Sequence, residues 1–192
     1  NWSQAEVAAQ EAMSVWTSEN FSEPSVARTV TSAMTVGSHL VVSSSMPIRD
    51  VEWFGSATSG VTVHSNRGTN GIDGVVSTAV GVSLATKARV TLLIGDIACL
   101  HDSNGLWALN RRDVDLTIVV TNNDGGSIFS FLPQAQIVSN SHFELLYGTP
   151  HGASFEHLAA THGIAFERVT TVSELAATLQ HGGTRLIEVP CD

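Results

Sequence analysis

Two apolar runs, Arg89 to Gly95 and Leu116 to Thr121, constrain the fold of this chain more than any other feature. Their interiors are uncharged and rich in β-branched residues, the composition of strands buried on both faces of a parallel sheet. The span from Ala98 to Asn110 reads as a helix interrupted in its middle by Asn104-Gly105, so the unit is strand–helix–strand. A right-handed crossover puts the C-terminal ends of both strands on one edge of the sheet. Asp96, just past the first strand, then meets Asn122-Asn123-Asp124-Gly125-Gly126, just past the second. One carboxylate, one amide oxygen and a glycine-rich turn with accessible carbonyls make a hard-cation set, with Mg²⁺ its natural occupant. A Mg²⁺ ion held by so few protein groups keeps positions open for phosphate oxygens.

The rest of the chain extends the same alternation. Ser3-Gln-Ala-Glu6 has capping-box spacing and predicts a helix over about 3–18; Ser22-Glu-Pro24 starts a second helix, running to about Met34. Strands are expected at His39–Ser43, Val61–His64, Ile164–Val169 and Arg185–Val189. Helices are expected after Pro47, over Val75 to about Thr86, from Phe155 to Gly163, and over Val172 to Gln180. Residues 133–153 read as irregular. The expected architecture is a doubly wound, mostly parallel six-stranded α/β sheet with helices on both faces, in one domain covering 1–192.

Composition narrows the functional classes. A formal charge of −9 argues against a nucleic-acid partner, which would call for a basic face. No run approaches the length of a membrane span, and Cys99 and Cys191 have neither metal-site nor disulfide-framework spacing. That cysteine usage suits a reducing, cytoplasmic setting. The eight histidines include no pair at i, i+4, and His157 and His162 face different sides of their helix, so all are read as surface or satisfied core residues. Asp102, Asp113 and Asp115 lie too far from the strand ends to join the Mg²⁺ set.

Gly68-x-x-Gly71-x-x-Gly74, between a strand and a helix, invites a dinucleotide-binding reading, with Asp96 about where a ribose-binding acid would stand. The spacing is not Gly-x-Gly-x-x-Gly, however, and Asn66 and Arg67 occupy a loop that a pyrophosphate turn would fill with small residues.

The pair Gly95-Asp96, followed about two dozen residues later by Asn122-Asn123, resembles instead the diphosphate-binding signature of thiamine-diphosphate enzymes. The family often has Gly where Ile97 stands. Gly71-Ile72, ahead of a helix of small residues, is similar to the segment that carries the bulky residue beneath the cofactor. The resemblance implies thiamine diphosphate and Mg²⁺ as cofactors. It also implies that Gly71, Ile72, Gly95, Asp96, Ile97, Ala98, Asn123, Gly125 and Gly126 form the cofactor site, with Asp96, Asn123 and the Gly125 carbonyl on the metal. Ile72 would hold the two cofactor rings in a bent shape while also packing the start of its helix.

Ser44-Ser-Met-Pro-Ile-Arg-Asp50, Ser65-Asn-Arg-Gly-Thr-Asn-Gly-Ile-Asp-Gly74 and Asn122-Asn-Asp-Gly-Gly-Ser-Ile-Phe-Ser-Phe-Leu-Pro133 narrow the resemblance to the carboligating synthases of menaquinone biosynthesis. That branch often has Asn where Ser44 stands. The implied reaction decarboxylates 2-oxoglutarate and adds the succinic semialdehyde unit to isochorismate. Ser45, Arg49 and Arg67 would bind substrate carboxylates, and Ile128, Phe129 and Leu132 would supply an apolar wall. By the same resemblance the chain is the C-terminal part of a longer enzyme and carries no catalytic residue of its own. The missing N-terminal pyrimidine-binding domain is expected from a partner subunit of a homo-oligomer, leaving the fragment alone inactive. A 2-oxoacid decarboxylase, an acetolactate-type synthase and a non-catalytic assembly module with this fold remain the competing readings.

Overall fold

The computed structural model describes residues 1–56, 59–66, 71–107 and 109–191. Among the described residues six strands form one sheet: β1 (His39–Val42), β2 (Thr62–His64), β3 (Val90–Gly95), β4 (Leu116–Asn122), β5 (Ala165–Arg168) and β6 (Arg185–Pro190). Their order is β2-β1-β3-β4-β6-β5, and every pairing is parallel. The expectation of a mostly parallel sheet is therefore met by a wholly parallel one.

The two runs that anchor the sequence pair with each other at the centre, Val90 opposite Leu116 through Gly95 opposite Thr121. Successive residues point to opposite faces, so one strand feeds two cores. Leu92, Ile94, Ile118 and Val120 pack under α4 (Val75–Thr86), α5 (Asp96–His101) and α8 (Phe155–His162). Leu93 and Val119 pack on the other face, against α2 (Glu23–Ala33) and α9 (Val172–Thr178), with α3 (Met46–Phe54) alongside.

Crossover handedness explains which helix goes where. The steps β1→β2 and β5→β6 run one way across the sheet, while β2→β3, β3→β4 and β4→β5 run the other. Right-handed crossovers in opposite directions must lie on opposite faces. The chain therefore departs from the C-terminal ends of β1 and β3 towards opposite faces. The crevice between such neighbouring ends is where open α/β sheets bind ligands.

Two segments differ from expectation. The helix foreseen over 98–110 stops at His101 and continues as single 3-10 turns at Ser103–Leu106 and Leu109–Arg111. Gly105 lies so close to α4 that a Cβ there would sit 2.9 Å from Ser77 Oγ. Asp102 locks the contact by accepting from Ser77 N at 2.9 Å. Residues 133–153 are not irregular throughout. They form α6 (Gln134–Ile137), α7 (Asn140–Phe143) and a π-helical turn, Glu144–Gly148. The turn backs onto the Gly125-Gly126 loop, where Gly126 N donates to Gly148 O at 2.7 Å. A long N-terminal helix, α1 (Trp2–Glu19), precedes the sheet and leaves Trp2 and Trp16 exposed.

Candidate active-site cleft at the topological switch point

A cleft of about 200 Å³ opens at the C-terminal ends of β1, β3 and β4. Eleven of the residues singled out from sequence line it: Ser45, Ile72, Gly95, Asp96, Ile97, Ala98, Asn123, Gly125, Gly126, Ile128 and Phe129. Gly71, Arg49 and Leu132 are not in its wall, and Arg67 lies outside the described residues.

Each element delivers its residue for a local reason. Ser45 caps α3 with φ 75° and ψ −134°, a conformation that costs a non-glycine residue of order 1–3 kcal/mol. Strain of this kind persists where the surrounding structure over-determines it, typically at binding sites. Arg49, one helical turn on, folds back so that its Nη1 donates to the Ser45 carbonyl. Gly71 has φ +100°, and a Cβ there would meet Asp73 Oδ1 at 2.4 Å. This turn sets Ile72 in the cleft, while Ile72 also packs against the core. Gly125, at φ +155°, has no room for a side chain, since a Cβ would lie 2.1 Å from Gly148 O.

Asp96 is the buried hub, 2% exposed. Its Oδ1 accepts from Ile97 N at 2.6 Å, and its Oδ2 accepts from Asn123 N at 3.1 Å and Gly125 N at 3.0 Å. His151 Nε2 lies 3.2 Å from Oδ2. Ala153 N donates to His151 Nδ1 at 2.9 Å, which leaves the proton on Nε2 and makes that nitrogen the donor to Asp96. Asn123 donates its amide nitrogen to Glu23 Oε1 at 2.6 Å and to Ser127 Oγ at 2.7 Å. Its Oδ1 is buried and has no partner among the described residues.

The acids here are electrostatically crowded. Burial holds the Glu23 carboxyl above its ordinary range; the Asn123 hydrogen bond pulls it down and the Asp96 charge pushes it further up. Burial, followed by the Glu23 charge, raises Asp50 to about 7, with Arg49 acting in the opposite direction. Asp50 Oδ1, like Asn123 Oδ1, is buried without a partner among the described residues.

The donor set fits a small oxophilic cation. Among the described residues, Asp96 Oδ1 accepts a single hydrogen bond and keeps one lone pair, and Asn123 Oδ1 keeps both of its own. Beside them runs the backbone of the glycine turn. An unmatched amide oxygen next to a carboxylate, in a crowd of acids, is costly unless something positive fills the gap.

Two residues of this region were not foreseen. Glu23 looks in sequence like an ordinary first-turn acid of α2, and His151 was set aside with the other histidines; the structure puts the one on Asn123 and the other on Asp96. The acids excluded from the site stay away from it. Asp102 holds α4, and Asp115 accepts from Gly183 N at the opposite edge of the sheet.

A parallel α/β domain with a strained serine, a glycine turn and an acid–amide pair around a switch-point cleft is a nucleotide- or diphosphate-type binding domain. Residues 53–189 match the model of the thiamine pyrophosphate enzyme C-terminal TPP-binding domain, and the chain belongs to that family. Its relatives narrow the position further. It is 47% identical over 175 residues to the 2-succinyl-5-enolpyruvyl-6-hydroxy-3-cyclohexene-1-carboxylate synthase of Myxococcus xanthus, covering 89% of this chain and 30% of that protein. The protein of the same name from Chloroflexus aurantiacus is 46% identical, with the same coverage of 89% and 30%. The one from Bacillus velezensis is 53% identical over 128 residues, covering 66% of this chain and 22% of the relative. The chain thus spans about 30% of the length of the curated relatives it matches. No helix among the described residues is long and apolar enough to cross a membrane.

Proposed function

We propose that this chain is the diphosphate-binding domain of a longer, cytoplasmic, Mg²⁺- and thiamine-diphosphate-dependent synthase. The whole enzyme decarboxylates 2-oxoglutarate and joins the resulting succinic semialdehyde unit to isochorismate. The observation that carries the proposal is the buried Asn123 Oδ1, without a partner among the described residues, beside Asp96 in the switch-point cleft of a chain 46–47% identical to synthases of that name.

Asp96, Asn123 and the Gly125 carbonyl would hold Mg²⁺. Gly95, Ile97, Ala98 and Gly126 lie beside them in the cleft wall, where they would face the diphosphate. Thiamine diphosphate, when bound, supplies the carbanion-stabilising chemistry; the chain's own residues bind, orient and exclude water. Ile72 would keep the cofactor bent. Ile128 and Phe129 give the cleft an apolar side, and Leu132, 43% exposed and outside the wall, extends it towards solvent. Ser45 would offer its hydroxyl to a substrate carboxylate. Arg49 serves the site indirectly by bracing the Ser45 carbonyl, with Arg67 as the direct carboxylate partner. The aminopyrimidine contacts, including the carboxylate that sets proton transfer in motion, belong to the pyrimidine-binding domain of a partner subunit in a homo-oligomer.

The test is an assay of the full-length enzyme with Mg²⁺ and thiamine diphosphate, following loss of 2-oxoglutarate and isochorismate. The full-length enzyme should consume both, and residues 1–192 alone should consume neither. Turnover by the isolated domain would overturn the division of the site, and a different preferred oxoacid would overturn the substrate assignment. Arg67→Ala should lower kcat/KM by roughly ten- to a hundredfold, the worth of a charge-assisted bond of about 1.5–3 kcal/mol, with cofactor binding unchanged.

A further inference from the structure

We infer that Glu23 is a positioning residue for the metal site, orienting the Asn123 amide so that its oxygen, not its nitrogen, faces the cation. The inference rests on the Mg²⁺ reading above. It starts from an ambiguity every asparagine has, because rotating the amide by half a turn exchanges an acceptor for a donor at almost no steric cost. At a Mg²⁺ site the two orientations are far from equivalent, since the ion takes oxygen ligands. Something must therefore choose.

The geometry assigns that choice to Glu23. Asn123 Nδ2 donates to its Oε1 at 2.6 Å, so the carboxyl oxygen takes the nitrogen side of the amide and leaves Oδ1 turned away. Ser127 Oγ, 2.7 Å from the same nitrogen, is compatible with either orientation because a hydroxyl both donates and accepts. Asn123 N is tied to Asp96 Oδ2 at 3.1 Å, which places the backbone but leaves the amide free to turn. With Nδ2 claimed by two acceptors, Oδ1 is left buried, without a partner among the described residues, and on the far side of the amide from Glu23. Glu23 itself is well anchored. It opens α2, whose start is fixed by Ser22 N donating to Ser25 Oγ at 2.8 Å, and the following turn carries the fully buried Val26 and Ala27. The α2 helix thus reaches across the sheet edge to set the donor atom of a loop 100 residues away in sequence.

Outer partners that orient a metal ligand typically contribute about 10- to 100-fold to metal affinity. The experiment is a Mg²⁺ titration of thiamine diphosphate binding to the full-length enzyme by calorimetry, for wild type, Glu23→Ala, Glu23→Gln, Asn123→Ala and the double variant Glu23→Ala/Asn123→Ala. Glu23→Ala should raise the Mg²⁺ concentration for half-saturation by about 10- to 100-fold. Glu23→Gln keeps an acceptor for Nδ2 but can also donate to Oδ1, so it should recover part of the loss. In the Asn123→Ala background, Glu23→Ala should cost nothing more, because the amide it orients is gone. A purely structural Glu23 would lower the melting temperature of the metal-free enzyme equally in both backgrounds and leave the Mg²⁺ requirement unmoved; that result would overturn the inference. Equal losses in Glu23→Ala and Glu23→Gln would overturn it too, pointing to charge in place of orientation. If wild type shows no Mg²⁺-dependent binding, the proposed function falls, and this inference with it.

Discussion

The two edges of the sheet are built from the same strands and treat polar groups differently. At the N-terminal edge most charged groups find partners, although Arg185 Nε and Thr117 Oγ1 are buried with none among the described residues. Arg89 Nη2 donates to Leu179 O and His181 O, Asp115 Oδ1 takes Gly183 N at 2.8 Å, and Thr184 Oγ1 donates to Val114 O at 2.9 Å. Arg185 pairs with Glu167 at 2.6 Å. At the C-terminal edge, three acids, Glu23, Asp50 and Asp96, crowd together, and Ser45 is held in a strained conformation. Oxygens of Ser43, Asp50 and Asn123 there are buried without partners among the described residues. One edge is arranged for stability, and the other holds back bonding capacity that a ligand can use.

That contrast is sharpest at Asp96. Asp96→Ala in the full-length enzyme should weaken Mg²⁺-dependent thiamine diphosphate binding by more than the roughly 100-fold typical of an outer partner. It should also lower the melting temperature, because Ile97, Asn123 and Gly125 lose the acceptor of their backbone N–H groups. Calorimetry and thermal denaturation measure the two effects separately. Equal cofactor affinity for the variant would break the comparison at its strongest point.

Gly125→Ala probes the seam between the glycine turn and the segment folded over it. Its Cβ would be driven into Gly148 O, so about 1–3 kcal/mol of stability should be lost, as for other overpacked sites. Denaturant unfolding of the domain reads this directly. Unchanged stability would mean that the π-helical turn is not seated on the loop.

How much of this edge was legible in the sequence follows from what each residue signals locally. Asp96 and Asn123 were legible because each sits just past a strand with an unambiguous apolar signature, and crossover handedness joins the two ends. Glu23 and His151 were not. Their partners lie 100 and 55 residues away, and neither carries a neighbouring motif that announces the contact. The helix over 98–110 ends at His101, ahead of the interruption marked at Asn104-Gly105, where Asp102 ties to Ser77 and Gly105 closes on α4, tertiary contacts that no local pattern records. Residues 133–153 read as irregular because their short turns pack on a glycine loop and lack a long apolar stripe.

Asp50 offers a smaller and signed effect. Its carboxyl, ordinarily at 3.8, is raised to about 7 by burial first and the Glu23 charge second. Between those values the folded state keeps a proton that the unfolded state has released, so stability falls as pH rises across the window and stays lowered above it. Asp50→Asn should flatten that fall and stabilise the protein at pH 8 by about 1–3 kcal/mol, the usual cost of an unmatched buried polar group. Equilibrium unfolding as a function of pH checks it, and an unchanged slope would remove Asp50 from the crowded set.

The smallest effect belongs to the satisfied edge. Asp115→Ala should cost about 0.5–1.5 kcal/mol, the worth of an ordinary hydrogen bond, and leave Mg²⁺ and thiamine diphosphate binding untouched. A measurable loss of cofactor affinity would show that the two edges are not independent.

The most direct test replaces Mg²⁺ by Mn²⁺ in crystals of the full-length enzyme with thiamine diphosphate and locates the ion by its anomalous scattering. The account predicts one peak within coordination distance of an Asp96 carboxylate oxygen, Asn123 Oδ1 and the Gly125 carbonyl, with Asn123 Nδ2 still on Glu23. A cofactor-bound crystal whose peak lies elsewhere, or whose Asn123 turns its nitrogen to the ion, would contradict it.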